Sequence, residues 1–205
     1  MKRIIALAAA ALMLFAVCRA PAEESGGTAG AEEAPVLPGY EYTGEDPIEG
    51  ALANSLANDG IAEKFRTEPG YVTIPCPVIF KTEMTDDIHA KVYGCFWILN
   101  YVRHGDVLEN ISGGEFPGIM TLEKDDNEWR VTAMETAGDG ENYAADIRRF
   151  AGGDKELEQK YFAAADLGAD PQKEIRTRYI REYVEGNGLD ITAYQDYGWN
   201  PVPLK

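Results

Sequence analysis

The chain has 205 residues, 45% of them apolar and 10% aromatic, which is enough for one packed domain and far from the composition of a disordered chain. It carries 19 basic and 35 acidic residues; Lys2, Arg3 and Arg19 fall within the first 22 positions, so the 183 residues beyond them hold sixteen bases against all thirty-five acids, a net charge of −19. A surface that acidic repels phosphate backbones and anionic headgroups, which argues against nucleic acid and against a basic membrane-binding patch, and two His, three Ser and three Cys leave few catalytic constellations to build.

Met1 to Arg3 is a basic start, and Ile4 to Val17 is an uncharged apolar run that Arg19 and Pro21 close after 14 residues. That is the pattern of an export signal, too short for a span of about 20 residues. Two processing routes fit. Ala20 and Ala22 supply the small side chains a signal peptidase reads, which makes 1–22 a signal peptide and Glu23 the new terminus. Alternatively Cys18, in Phe15-Ala16-Val17-Cys18, stands where a bacterial lipoprotein carries its lipid, which makes 1–17 the leader and Cys18 the attachment site. Either route places the protein outside the cytoplasm, secreted or held as a membrane-anchored lipoprotein, with the anchor its one membrane contact. Residues 23–45 are acidic and rich in Gly, Ala and Pro, and are expected to form a disordered linker before a single domain at 46–205.

Asp46-Pro47 is a cap followed by a proline at the first helical position, and Ile48, Leu52, Leu56, Ile61 and Phe65 continue at near-helical spacing. From Tyr71 the period changes to two. Val72, Ile74, Cys76, Val78 and Phe80 share one face and Pro75 and Pro77 the other, which predicts an edge strand. Lys91 to Tyr101 is almost continuously apolar and predicts a strand covered on both faces. After a polar stretch from His104 to Gly114, Pro117 to Glu123 and Glu128 to Thr136 predict two strands joined by the turn Lys124-Asp125-Asp126-Asn127. Gly138-Asp139-Gly140 ends the sheet, with Asp139 or Asn142 as the expected cap of a short helix marked by Tyr143, Ile147 and Phe150. Leu157, Tyr161, Phe162 and Ala165 mark the next helix. Pro171 opens the last, with Ile175, Tyr179, Tyr183 and Val184 inward and Glu174, Arg178 and Glu182 as a solvated ladder outward. The fold class is α+β: a curved, four-stranded antiparallel meander, cystatin-like or cone-like, packed on helices on one side, with an N-terminal helix before it and helices after it.

Val92-Tyr93-Gly94 through Trp97, Ser112-Gly113-Gly114-Glu115-Phe116-Pro117-Gly118, Glu128-Trp129-Arg130-Val131, and Gly138-Asp139-Gly140 with Tyr143-Ala144-Ala145-Asp146-Ile147 and Phe150 resemble an uncharacterised family of secreted or lipid-anchored domains of Gram-positive bacteria. The same stretch is similar to extracytoplasmic domains of antirepressor metalloproteases related to β-lactam-sensing receptors. The resemblance covers roughly Ile79 to Phe150 and implies a location and a sensing or binding role. After Phe150, Ala151-Gly152-Gly153 replaces the proline that pattern carries.

The candidate chemistry is thin. Neither Ser55 nor Ser112 lies in a Gly-x-Ser-x-Gly turn beside His89 or His104. Cys76, Cys95, His89 and His104 lack zinc-ligand spacing, and Asp125-Asp126-Asn127-Glu128 lacks the alternating ligands of a calcium loop, so no metal or other cofactor is expected. The aromatic stripe Tyr93, Trp97 and Tyr101 is a candidate pocket lining, with Ser112, Gly113, Gly114, Asp139 and Tyr143 on glycine-rich rims. With the first hairpin turn near Met84 to Asp87, partners sum to 171 and Cys76 faces Cys95, the geometry of a disulfide in an oxidising compartment. The reading of function is a non-enzymatic extracytoplasmic ligand-binding or sensing domain using the concave face of its sheet. The partner is a small ligand or a cell-surface protein; the alternatives are a secreted hydrolase working through carboxylates and a protein-interaction module at the cell surface.

Overall fold

The computed structural model describes residues 36–58, 70–165, 172–196 and 198–205. The leader, Cys18, the linker as far as residue 35, the helical positions Ile61 and Phe65, and Pro171 lie outside the described residues. Helix α1 (Pro47–Asn58) precedes strands β1 (Val72–Met84), β2 (His89–His104), β3 (Val107–Asp125) and β4 (Glu128–Thr136). A 3-10 turn (Gly140–Asn142) leads into α2 (Tyr143–Ala151), α3 (Lys155–Ala164) and α4 (Lys173–Gly186), and short strands β5 (Ala193–Asp196) and β6 (Val202–Pro203) follow. No described helix is long and apolar enough to cross a membrane.

The fold is α+β, built on a curled mixed sheet rather than the expected four-stranded antiparallel one. Strands β1 to β4 pair in succession, each antiparallel to the last. The first part of β3, however, pairs with β5 in parallel, Val107 beside Ala193 through Asn110 beside Asp196, and β6 pairs antiparallel with β5. β3 is long enough to serve both neighbours, β5 at its start and β4 along its second half. β1 is an edge strand, as Pro75 and Pro77 require.

Curvature comes from bulges and glycines. Phe80, Ile111 and Thr132 are extra residues in β1, β3 and β4, each skipped by the pairing register. Gly94 and Gly118 stand opposite each other across β2 and β3. A Cβ on Gly94 would strike the Val78 carbonyl oxygen, and one on Gly118 the Glu135 carbonyl oxygen, so the backbones approach closely only because both positions lack a side chain. The buried Tyr161 hydroxyl donates to the Gly118 carbonyl at 2.6 Å and ties α3 to this bend.

The bent sheet carries helices on both faces, not one. On one face Leu52 and Leu56 of α1 pack among Ala90, Val92, Phe96, Ile98, Met120 and Leu122, all at most 1% exposed. Burying two leucines this completely contributes about 3–6 kcal/mol. α1 begins where the sequence says: the Asp46 carboxylate accepts from the amides of Ile48 at 2.9 Å and Glu49 at 3.1 Å. On the other face α4 supplies Tyr179, Ile180, Tyr183 and Val184 to a core with Val72, Ile74, Cys76, Cys95, Leu99 and Tyr101. Helices α2 and α3 cover its other end through Ile147, Phe150, Leu157 and Tyr161 against Tyr93.

Two expectations about the helices change. The segment before α1 is no linker from residue 36 onward, because Leu37 and Tyr40 are buried. The Tyr40 ring stacks 6.4 Å from both Tyr179 and Tyr183, and Tyr183 donates to the Pro38 carbonyl at 2.8 Å. Aromatic burial outweighs the acidic, glycine-rich composition that suggested a tail. Nor is Arg178 only a rung of a solvated ladder. It bonds Glu49 of α1 directly, with Glu182 a weaker neighbour at 3.4 Å, and Glu49 also accepts from Tyr179 at 2.6 Å and Tyr42 at 3.2 Å.

Candidate functional site

The expected aromatic stripe is mostly core. Tyr101 is fully buried, and Tyr93 is 9% exposed beneath α2 and α3. Trp97 is half-buried between Cys76 on β1 and Glu115 on β3. Ser112, Gly113 and Gly114 form no rim: they lie inside β3, opposite Asn100, Leu99 and Ile98. Glycines usually read as loop, but here the strand β2 beside them dictates extension, and Gly113 has no room for a Cβ against Ile98 and Leu99. The Ser112 hydroxyl accepts from Asn100 Nδ2 at 2.9 Å, and Asn100 Oδ1 accepts from Thr73 at 2.8 Å, a polar row crossing three strands. Asp139 is exposed and caps nothing with its side chain, nor does Asn142; the Asp146 carboxylate reaches back to the Gly138 amide at 2.9 Å instead. Tyr143 donates to the Tyr161 carbonyl at 3.5 Å, and its hydroxyl is pushed up to about 12 by burial and then by the Glu115 carboxylate. Leu52 and Leu56 of α1 cover the face of β2 opposite the stripe of Tyr93, Trp97 and Tyr101.

The cysteines also change partners. The hairpin turn falls later than expected, at Thr85 to Ile88, where Asp86 accepts from the amides of Ile88 and His89, and the bulge at Phe80 shifts the register again. Cys76 therefore faces Trp97, and Cys95 faces Val78. They share a face but sit diagonally, at a Cα separation typically about 7–8 Å and beyond ordinary disulfide reach. Each stands as a buried thiol, Cys95 donating to Glu115 Oε1 at 2.7 Å and Cys76 to the Gln172 carbonyl at 3.8 Å. Burial, followed by the Glu115 carboxylate, pushes the Cys95 thiol far above its usual range, so its nucleophilic thiolate is suppressed. His89 pairs with Asp86 at the hairpin tip and His104 with Glu109, and Ser112 contacts neither. Among the described residues no group of three His, Cys, Asp or Glu converges as metal ligands. Every described carboxyl with a displaced acidity, Glu49, Asp86, Asp146, Asp154, Glu158 and Asp190, moves down, the opposite of a general acid held ready near neutrality.

A site of different character lies where α4 meets β5 and β6. Arg176, one turn into α4, is drawn under the surface, its side chain 11% exposed. Its Nε donates to the Tyr101 hydroxyl at 2.7 Å, and Nη1 and Nη2 grip both oxygens of Asp196 at 2.8 and 2.5 Å. The guanidinium carbon stands 5.5 Å from the Tyr101 ring centroid and 4.8 Å from that of Tyr194. Burial works against its charge, but Tyr101 and Asp196 outweigh that, and the guanidinium is held more firmly protonated than in water. Tyr194 is buried below, its hydroxyl 3.1 Å from that of Thr177.

After Asp196 the chain turns. The Trp199 amide donates to the Asp196 carbonyl at 3.0 Å, Gln195 Nε2 donates to the Trp199 carbonyl at 2.6 Å, and Gly198 takes φ +79°, which glycine adopts without strain. This turn holds the Trp199 side chain out, 75% exposed. Between it, Lys173, Asn200 and the Arg176–Asp196 pair is a cleft of about 450 Å³, within the range of small-ligand sites. Of this site only Tyr101 is among the residues the sequence singles out, because β5 is four residues long and gains its place only from distant β3. The one local signal was Trp199, a large aromatic among Gly, Asn and Pro. No family model, curated protein or solved structure matches this chain.

Proposed function

We propose that this chain is a non-enzymatic ligand-binding or sensing domain that acts outside the cytoplasm, and that the cleft under Trp199 is its binding site. The observation that carries the reading is the pairing of a fixed floor with an exposed aromatic rim. A buried guanidinium already locked by Asp196 and Tyr101 loses no side-chain freedom when a ligand arrives, and an aromatic held out by a closed turn is preorganised for contact. Suppression of the Cys95 thiolate, separation of Ser112 from both imidazoles, and downward-shifted carboxyls favour binding over turnover. The basic start, the short apolar run and the resemblance to extracytoplasmic sensing domains support the location.

A thermal-shift screen of the full chain against sugars, short peptides, antibiotics and metal salts tests the reading. A cleft ligand at 100 times its dissociation constant should stabilise by about 2.7 kcal/mol, and Trp199→Ala should abolish the shift. Silence across the panel refutes the small-ligand reading. Intact mass of the exported protein tests the location: a lipid on Cys18 or a start at Glu23 each agrees with it, and a full-length cytoplasmic chain overturns it.

A further inference from the structure

Resting on the cleft reading above, we infer that the ligand class is a saccharide, one sugar ring lying on the Trp199 indole with its hydroxyls bonded to the Asp196 carboxylate and the polar groups beside it. A pyranose has a face of C–H groups and a rim of hydroxyls, so it needs a flat aromatic next to planar, fixed donors and acceptors. Trp199 supplies the flat surface, 75% exposed. The Asp196 carboxylate, 42% exposed, accepts from Arg176 through one lone pair on each oxygen and has acceptor capacity left on both. Asn200 and Lys173 line the same cleft and add an amide and an ammonium group.

Other ligand classes fit less well. A proline-rich peptide docks between two or more exposed aromatic ridges, and among the described residues of the cleft lining Tyr194 is 2% exposed, leaving Trp199 as the exposed ring. A phosphate ester is matched by a cluster of free cations, and here Asp196 neutralises Arg176, so the Lys173 ammonium is left beside a carboxylate that repels the anion. A purely apolar ligand would strand Asp196 and Lys173 without water.

The test is titration of the full chain with two soluble saccharides, a β-1,4-linked N-acetylglucosamine tetramer and maltotetraose, and in a separate arm with a proline-rich decapeptide, followed by tryptophan emission and calorimetry. Binding of either saccharide that Trp199→Ala weakens tenfold or more, that Asp196→Asn weakens as well, and that Trp129→Phe leaves unchanged is the expected result. Trp199 packs on little, so its alanine variant should melt within a degree of the parent, which separates lost binding from lost fold. Saccharide binding indifferent to Trp199→Ala overturns the inference. Peptide binding that depends on Trp199, with both saccharides silent, overturns the saccharide class and leaves the cleft reading standing. Silence in both arms removes both.

Discussion

Replacing Tyr179 by phenylalanine deletes one oxygen from the most heavily shared contact between α1 and α4. Tyr179 is fully buried, and its hydroxyl donates at 2.6 Å to Glu49, which also takes Arg178 and Tyr42. A hydrogen bond to a charged acceptor contributes about 1.5–3 kcal/mol, so Tyr179→Phe should cost about 2 kcal/mol at pH 7. Glu49→Ala should cost about 3 kcal/mol, chiefly because it leaves the buried Tyr179 hydroxyl unmatched; Arg178 is 41% exposed and turns to water at little cost. The double variant should cost no more than Glu49→Ala alone, a coupling of about 2 kcal/mol. Burial acts to raise the Glu49 carboxyl, but bonds from Tyr179 and Arg178, the Arg178 charge and Tyr42 outweigh it and hold the carboxyl below its usual range. A carboxyl depressed in the folded state stabilises above its unfolded pKa of about 4.3, and that contribution fades as pH falls from there through the lower folded value. The cost of Tyr179→Phe should shrink across that window toward the roughly 1 kcal/mol of a neutral bond. Urea unfolding of the four proteins at pH 7 and in acid measures it. A coupling below about 0.5 kcal/mol, or a cost unchanged by acid, refutes the cluster as a charged link between the helices.

Tyr161→Phe removes the bond to the Gly118 carbonyl at 2.6 Å and should lower stability by about 1–2 kcal/mol with an unchanged denaturant slope. Gly118→Ala places a methyl group against the Glu135 backbone, which cannot swing aside as a side chain would; a loss of about 2–3 kcal/mol is expected, and a melting point equal to the parent's would contradict the close approach of β3 and β4. Thiol titration of the full chain, unfolded without reductant, should count three reactive cysteines, Cys18, Cys76 and Cys95; a count of one would mean that Cys76 and Cys95 are bridged despite their diagonal register.

What was legible in the sequence is what depends on neighbours in the chain. The Asp46-Pro47 start of α1 and the apolar run of β2 are local patterns and appear as read, and the turn read at Lys124 to Asn127 tightens to Asp126-Asn127, both residues at positive φ. The misreadings involve distant partners. Ser112 to Gly114 looked like loop because glycine is a poor strand former, yet β2 pairs with it residue by residue and holds it extended. A turn placed later carried Cys76 past Cys95, the bulge at Phe80 took back one residue to set it opposite Trp97, and no periodicity reveals a residue that the partner strand skips. Arg178 sits four residues from Glu182 and so reads as a rung on one helix, although its stronger partner is 129 positions away. The cleft was invisible for the same reason: Arg176, Tyr101 and Asp196 meet only after β5 has joined β3.

The parallel seam between β3 and β5 also sets a timetable. Residues 107–110 are made long before 193–196, and nothing nearer in the chain takes that place beside β3. Until then Leu108, which packs with Ile191 and Tyr194 once folded, lies open on one side. A chain growing on a ribosome therefore stays unsealed along this edge through most of its length. That delay leaves the apolar β2–β3 surface in need of protection until residue 196 has emerged.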